Sequence, residues 1–457
     1  MYKTVVLNIV GLTPELIGDR TPFLSEWLSR GKQASIRSML PAVTCSVQAT
    51  YLTGKMPSEH GIVGNGWYFR EMDEIKFWRQ SNKLVQSTKI WEQAKQKDPE
   101  FTCANLFWWY NMNSTVDLLI TPRPIYRADG VKIPDIYTEP SNLRDQLQDK
   151  LGQFPLFNFW GPNTTIYASE WIADSAKIVA EEYDPTLSLV YIPHLDYNLQ
   201  RIGPGDPRIE KDLREVDDVC KDLISFYEKR ETRVILLSEY GIRSVNRPVS
   251  LNRELRRYGY ITVREELGGE ILIPGGSRAF AVADHQIAHI YIEDPADIGP
   301  VRKLIEAVPG VEKVLDDEGK KNFGLDHERS GELIAIAEPD AWFTYYYWLD
   351  DHKAPDFAPT VDIHTKPGYD PAELLIDPKI RLPRLKAGLR LLQKKTGFRY
   401  KMDLIPINGS GVKGSHGRME TDFGISPMLI SNHPDLIPDS TLKPTDVYDV
   451  ILSHLFE

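Results

Sequence analysis

The chain has 457 residues, 42% hydrophobic and 26% charged, with a net charge of −11. That balance suits a large globular core and excludes a disordered or fibrous chain. With no run of like charges it argues against a nucleic-acid backbone as partner, which calls for a basic patch. A small anionic substrate remains compatible, because a local site can be positive in an acidic protein. Three widely spaced cysteines, Cys45, Cys103 and Cys220, form no paired framework. They suit a reducing compartment, and Met1 to Thr4 runs into a strand-like segment without a leader pattern, so a cytoplasmic location is expected. No apolar run approaches the roughly 20 residues of a bilayer span.

In chain order, Thr4 to Val10 is a short β-branched run ended by Gly11 and predicts a buried parallel strand. Thr21-Pro22 opens a helix with a threonine cap and a proline at its first position. Residues 34–40 predict a second strand, giving a βαβ opening and an α/β class. Ligands of such sheets sit beyond the carboxyl ends of the strands. Pro41-Ala42-Val43-Thr44 follows, at the start of an apolar helical pattern. Thr44 there is either an ordinary N-cap or a nucleophile whose product anion the helix N-terminus would favour.

Pro57 to Trp67 is a glycine-rich loop in which His60 and Asn65 either stabilise a turn or, for Asn65, contact a phosphate oxygen. Residues 66–165 are aromatic and irregular, an insertion that carries specificity or its own small core. Leu187 to Ile192 and Thr232 to Leu237 predict core strands. They end in Asp196 and in Glu239-Tyr240, and two carboxylates on adjacent strand ends facing Thr44 point to a site. Residues 207–229 are helical, with apolar positions three and four apart.

From 245 to 340 the pattern shifts to a smaller α+β cap subdomain. Residues 1–244 form the core and 341–457 return to it. His285 and His289, near Asp284, are read as core or solvated histidines, with a metal pair as the alternative. Trp342 to Trp348 is expected to bury the seam between cap and core. Asp362 and His364 are expected to alternate on a strand face. Gly414-Ser415-His416-Gly417 is a glycine-flanked histidine turn before a last core strand, 425–430, and a closing helix near 444–456.

Together these residues resemble the alkaline phosphatase superfamily. The nearest branch is the nucleotide pyrophosphatase/phosphodiesterase group, with phosphonoacetate hydrolase as a relative. Pro41 to Asn65 is similar to that group's P-x-x-T…T-G-x-x-P-x-x-H-G-I-x-x-N pattern. Asp196 with Gly203-Pro204 fits D-x-x-x-H-x-x-G-P, Ser238 to Gly241 stands where S-D-H-G is expected, and His416 fits a late metal-binding histidine. The resemblance implies a mostly parallel central sheet flanked by helices. It implies Thr44 as nucleophile, Asn65 on the phosphoryl oxygens and one or two divalent metals. It departs at the metal positions: Val10 stands for an aspartate, Glu239-Tyr240 for Asp-His, and Gln200 for the middle histidine. The remaining candidate ligands are Thr44, Glu239 and Asn8 in one site and Asp196, Gln200 and His416 in the other. That oxygen-rich set suits Mg²⁺, Mn²⁺ or Ca²⁺ better than zinc. Without a metal, Glu239 or Tyr240 would serve as base. The expected activity is hydrolysis of a small phosphate or phosphonate ester. The alternative is a degenerate superfamily member that binds a ligand or a partner protein.

Overall fold

The computed structural model of the chain describes residues 1–128, 131–439 and 441–457. The apolar runs build the centre. In chain order the strands are β1 (Thr4–Ile9), β2 (Lys32–Ser35), β3 (Cys103–Leu106), β4 (Leu118–Pro122), β5 (Ile136–Glu139), β6 (Leu187–Ile192) and β7 (Arg233–Leu237). A four-stranded antiparallel sheet follows, from β8 (Ala279–Asp284), β9 (Ile287–Ile292), β10 (Val311–Leu315) and β11 (Leu333–Ala337). Near the end of the chain β12 (Met428–Ser431) returns to the first sheet.

The central sheet runs β2-β12-β7-β1-β6-β3-β4-β5. Its five inner strands, β7 to β4, are mutually parallel, and β12, β2 and β5 make the antiparallel pairings. β1 lies at the centre, with Asn8 in register with Tyr191 of β6 and Leu237 of β7. Every residue of β1 and β6 is buried, the signature of a parallel sheet covered on both faces. This is an α/β fold with a mostly parallel central sheet, the architecture that the resemblance implies.

The helices that matter for the site are α1 (Pro22–Ser29), α2 (Thr44–Thr53), α3 (Tyr167–Tyr183), α4 (His194–Ile202) and α5 (Ile209–Lys229). α1 starts at Pro22 as expected, but Thr21 does not cap it. The Asp217 carboxylate of α5 accepts from the Phe23 and Leu24 amides at 2.9 and 2.8 Å instead. A partner nearly two hundred residues away thus does the work that local pattern assigned to the threonine. The second strand is also displaced: β2 covers 32–35, and Ile36 makes only an isolated bridge to Leu442.

The Trp342–Trp348 run is wholly buried. Phe343, Tyr345 and Trp348 share a core with Cys45, Ala49, Ile62 and Val63 from the α2 region and with the β8–β11 sheet, so they fill the seam. Residues 361–366 form turns rather than a strand, so Asp362 and His364 do not alternate on a sheet face. Pro359 and Pro367, which cannot donate to a ladder, bracket them.

Candidate functional site

Three strand ends and one late strand bring the candidates together. β1 brings Asn8, the turn after β7 brings Glu239 and Tyr240, and α4, which follows β6, brings Asp196 and Gln200. His416 arrives on Gly414–Ser415, which pairs with Arg243–Ser244. Glycine is required along that path. A Cβ on Gly414 would stand 2.0 Å from the Leu199 carbonyl oxygen, and one on Gly241 would stand 1.9 Å from that of Ile425.

Thr44 is the first residue of α2, and Val43 is the cap residue. Its hydroxyl lies 3.0 Å from the Tyr240 hydroxyl. Tyr240 in turn donates to Asp196 Oδ1 at 3.3 Å. Gln200 Nε2 donates to Asp196 Oδ2 at 2.7 Å, and its oxygen accepts from Tyr369 at 3.0 Å. Glu239 Oε1 accepts from Asn8 and from Gln48, each at 2.6 Å. Gln48, one turn along α2, was not singled out by any pattern. An uncharged residue in a helix interior carries no signal until the fold shows what it faces.

Asn65 is held at both ends of its amide. Its oxygen accepts from the Cys45 amide at 3.0 Å and its nitrogen donates to Asp284 at 3.1 Å. His60 stabilises its turn, contacting Thr50 at 3.0 Å and accepting from the Ile62 amide at 3.1 Å. The two cap histidines part company. His289 is satisfied on both nitrogens, by the Val63 carbonyl and the Gly331 amide. His285, in the turn between β8 and β9, lies beside Asp284 at 2.8 Å and stacks on Tyr369 and against His416.

The site is closed and poor in cations. Thr44 is 4% exposed, and Asp196, Glu239, Tyr240, Asp284 and His416 are all buried. Burial pushes the Asp196 carboxyl up to about 7 and the Glu239 carboxyl up to about 8, against the donors that hold them. Asp284 is raised to about 6 for the same reason. Burial holds the His285 and His416 imidazoles well below the usual range, so both are neutral.

These residues do not fit a two-zinc centre. Such a centre calls for several imidazoles, and His416 is the one at an expected position. Its Nδ1–H points to the Ala42 carbonyl at 2.7 Å, leaving Nε2 buried, without a partner and 3.8 Å from Asp196 Oδ1. Gln200 is committed at both ends. Val10 lies in the apolar core. Tyr240, stacked on His416 at 3.6 Å, puts its hydroxyl between Thr44 and Asp196, where the two sites would meet. Two oxygens beside them, Asn8 Oδ1 and Glu239 Oε2, are also buried without partners. Among the described residues, the grouping with metal-like spacing lies elsewhere, at His194, Asp212 and Glu215. There, burial opposes the charge of His194, but both carboxylates accept from its Nε2 at 3.2 Å and hold the imidazole above its ordinary value.

Solved structures share the fold at low identity. Murine ectonucleotide pyrophosphatase/phosphodiesterase 5, an inactive form in complex with AMP, superposes with a TM-score of 0.60 at 14% identity, covering 100% of this chain and 95% of that one. Phosphonoacetate hydrolase from Sinorhizobium meliloti 1021, in complex with phosphonoformate, gives 0.62 at 13% identity, covering 99% and 96%. Among curated proteins, ectonucleotide pyrophosphatase/phosphodiesterase 2 of Saccharomyces cerevisiae is 26% identical over 53% of this chain. An uncharacterized pyrophosphatase/phosphodiesterase of Schizosaccharomyces pombe is 24% identical over 47% of it. The matches span 48% and 38% of those two proteins, less than half of each. The profile described as type I phosphodiesterase / nucleotide pyrophosphatase matches residues 4–370, most of the length, and the chain belongs to that family.

Proposed function

We propose that this chain hydrolyses a small phosphate or phosphonate ester with Thr44 as nucleophile, and that its metal dependence departs from a two-zinc scheme. The observation that carries the reading is the placement of the Thr44 hydroxyl on the first residue of α2, in contact with a tyrosine–carboxylate pair. Attack forms the Thr44 Oγ1–phosphorus bond and breaks the bond to the leaving alcohol. The threonine proton passes to the Tyr240 oxygen as the Tyr240 proton passes to Asp196, and it returns to the leaving oxygen. Water then cleaves the phosphothreonine. The positive end of α2 faces the charge that develops. Trp109, Trp78, Tyr369 and Trp160 form a chain of ring contacts in that order beside the site and would wall the approach of the ester's organic part. A ligand of the size of the AMP or phosphonoformate bound by the structural relatives is the class to screen. Thr44→Ala should abolish turnover of an activated aryl phosphodiester, measured with and without added Mg²⁺, Mn²⁺ and Zn²⁺. Unchanged rates would sink the reading.

A second reading has its own observation. The Tyr240 ring fills the space between the two metal positions and Thr44 is nearly inaccessible. A superfamily scaffold that binds a ligand or partner without hydrolysis predicts less than one equivalent of metal in the purified protein. It also predicts no turnover of phosphodiester, phosphomonoester or phosphonate panels. Two equivalents of zinc by elemental analysis would reject it.

A further inference from the structure

Outside the site, the helix α6 (Pro383–Lys395) is built the wrong way round for a free surface. Leucines at 385, 389 and 392 repeat at four and three residues and share one face. In a globular protein such a stripe turns inward. Here Leu385 is 57%, Leu389 57% and Leu392 56% exposed. The half-buried positions are instead 383, 386, 387, 390, 393 and 394, the opposite and mostly polar face. Lys386 and Arg390 pin that face to Asp403 at 2.8 and 3.2 Å. The polar side is therefore docked on the protein and the leucine side is presented outward, with Phe398 beyond the helix end also 70% exposed.

Charge says what covers it. Between Asp377 and Asp403 the sequence has nine Lys and Arg and no Asp or Glu, in a chain whose net charge is −11. Arg384 and Lys395 flank the leucine stripe and are exposed, as are Lys379, Arg381 and Arg399 beyond the helix ends. A second copy of the helix would bring like charges together. A nucleic acid would leave the leucines in contact with phosphates. An anionic bilayer satisfies both features, taking leucine and phenylalanine into the acyl boundary while Lys and Arg reach the headgroups.

We propose that α6 and its basic flanks dock the protein in the interface of an anionic phospholipid membrane, with the helix lying flat. No helix among the described residues is long and apolar enough to cross one, so the contact is a surface one. The test is flotation of the full chain with phosphatidylcholine vesicles, with and without phosphatidylglycerol. The wild type is expected to float with the anionic vesicles, to stay behind with the neutral ones and to be released by salt. Leu385→Gln, Leu389→Gln and Leu392→Gln together should weaken partitioning at least about tenfold. Arg384→Glu with Lys395→Glu should do so independently. Both variants should keep the wild-type melting temperature, since none of these side chains is in the core. Failure of the wild type to bind anionic vesicles would overturn the proposal, as would equal binding by either variant. A solution dimer that the leucine variant converts to monomer would overturn it in favour of a second copy.

Discussion

At the scale of the residue, the site is defined by one exchange. A tyrosine stands where the family pattern has a histidine, and its hydroxyl bridges Thr44 and Asp196. Tyr240→Phe should lower turnover of an aryl phosphodiester at least about a hundredfold, if proton transfer uses that path. It should cost about 1–2 kcal/mol of stability, because two buried groups lose a partner. Paired kinetics and denaturant melts separate the two effects. A second residue-scale expectation concerns His194. Its folded value is held above the ordinary value of about 6.5 by Asp212 and Glu215. A raised base stabilises fully below its unfolded value and loses that contribution as pH rises through its folded value. Asp212→Asn should therefore cost about 2 kcal/mol near pH 6 and less near pH 9, read from urea melts at both. Sequence showed Thr44, Asp196, Glu239 and His416 as candidates because motif spacing marks them. It did not show that Asn65 bonds Cys45 and Asp284, nor that Gln48 serves Glu239, since hydrogen-bond partners far apart in the chain leave no local trace.

At the scale of the element, legibility followed locality. β6 runs over the same residues as its apolar stretch, because a buried parallel strand is hydrophobic throughout. β2 did not, because a four-residue edge strand is set by its pairing with β12 rather than by its own composition. The leucine repeat of α6 has no mark of direction in it: periodicity says that a helix has a face and leaves open which way it turns. The α1 cap shows the same division, with a remote carboxylate doing what a nearby threonine suggested. Asp217→Ala should cost about 1–2 kcal/mol by exposing two amides of α1, measured by thermal unfolding. Gly414→Ala tests the path that delivers His416. A methyl group meeting the Leu199 carbonyl must push the strand away, at a cost of about 1–3 kcal/mol. Because the strand pins His416 against Tyr240, the same change should also broaden the His416 imidazole resonances.

At the scale of the molecule, the fold class was open to sequence because alternating strands and helices specify a parallel sheet before any contact is known. The family pattern then carried the chemistry as far as its ligands survive. Where the pattern departs, at Gln200 and Tyr240, the structure has hydrogen bonds and ring stacking around Asp196 and His416. The structure also holds a buried cation of its own: Lys366 pairs with Asp370 and Glu373 at 2.7 and 2.9 Å. Lys366→Met should cost about 3–5 kcal/mol, since two buried carboxylates would lose their counter-charge.

The strand order of the central sheet has a consequence in time. β1 is made first, yet both of its neighbours come more than 180 residues later, and β12, which joins β2 to β7, comes later still. A growing chain must hold the first fifty residues, Thr44 included, without a sheet partner for β1 until residue 192 has emerged and without the second until residue 237, and it must keep the β7 edge unpaired until residue 431. Synthesis at about 5–20 residues per second makes that a wait of tens of seconds. The exposed edges of this interval, rather than any feature of the finished protein, are where a holding chaperone would act and where slow translation would promote aggregation.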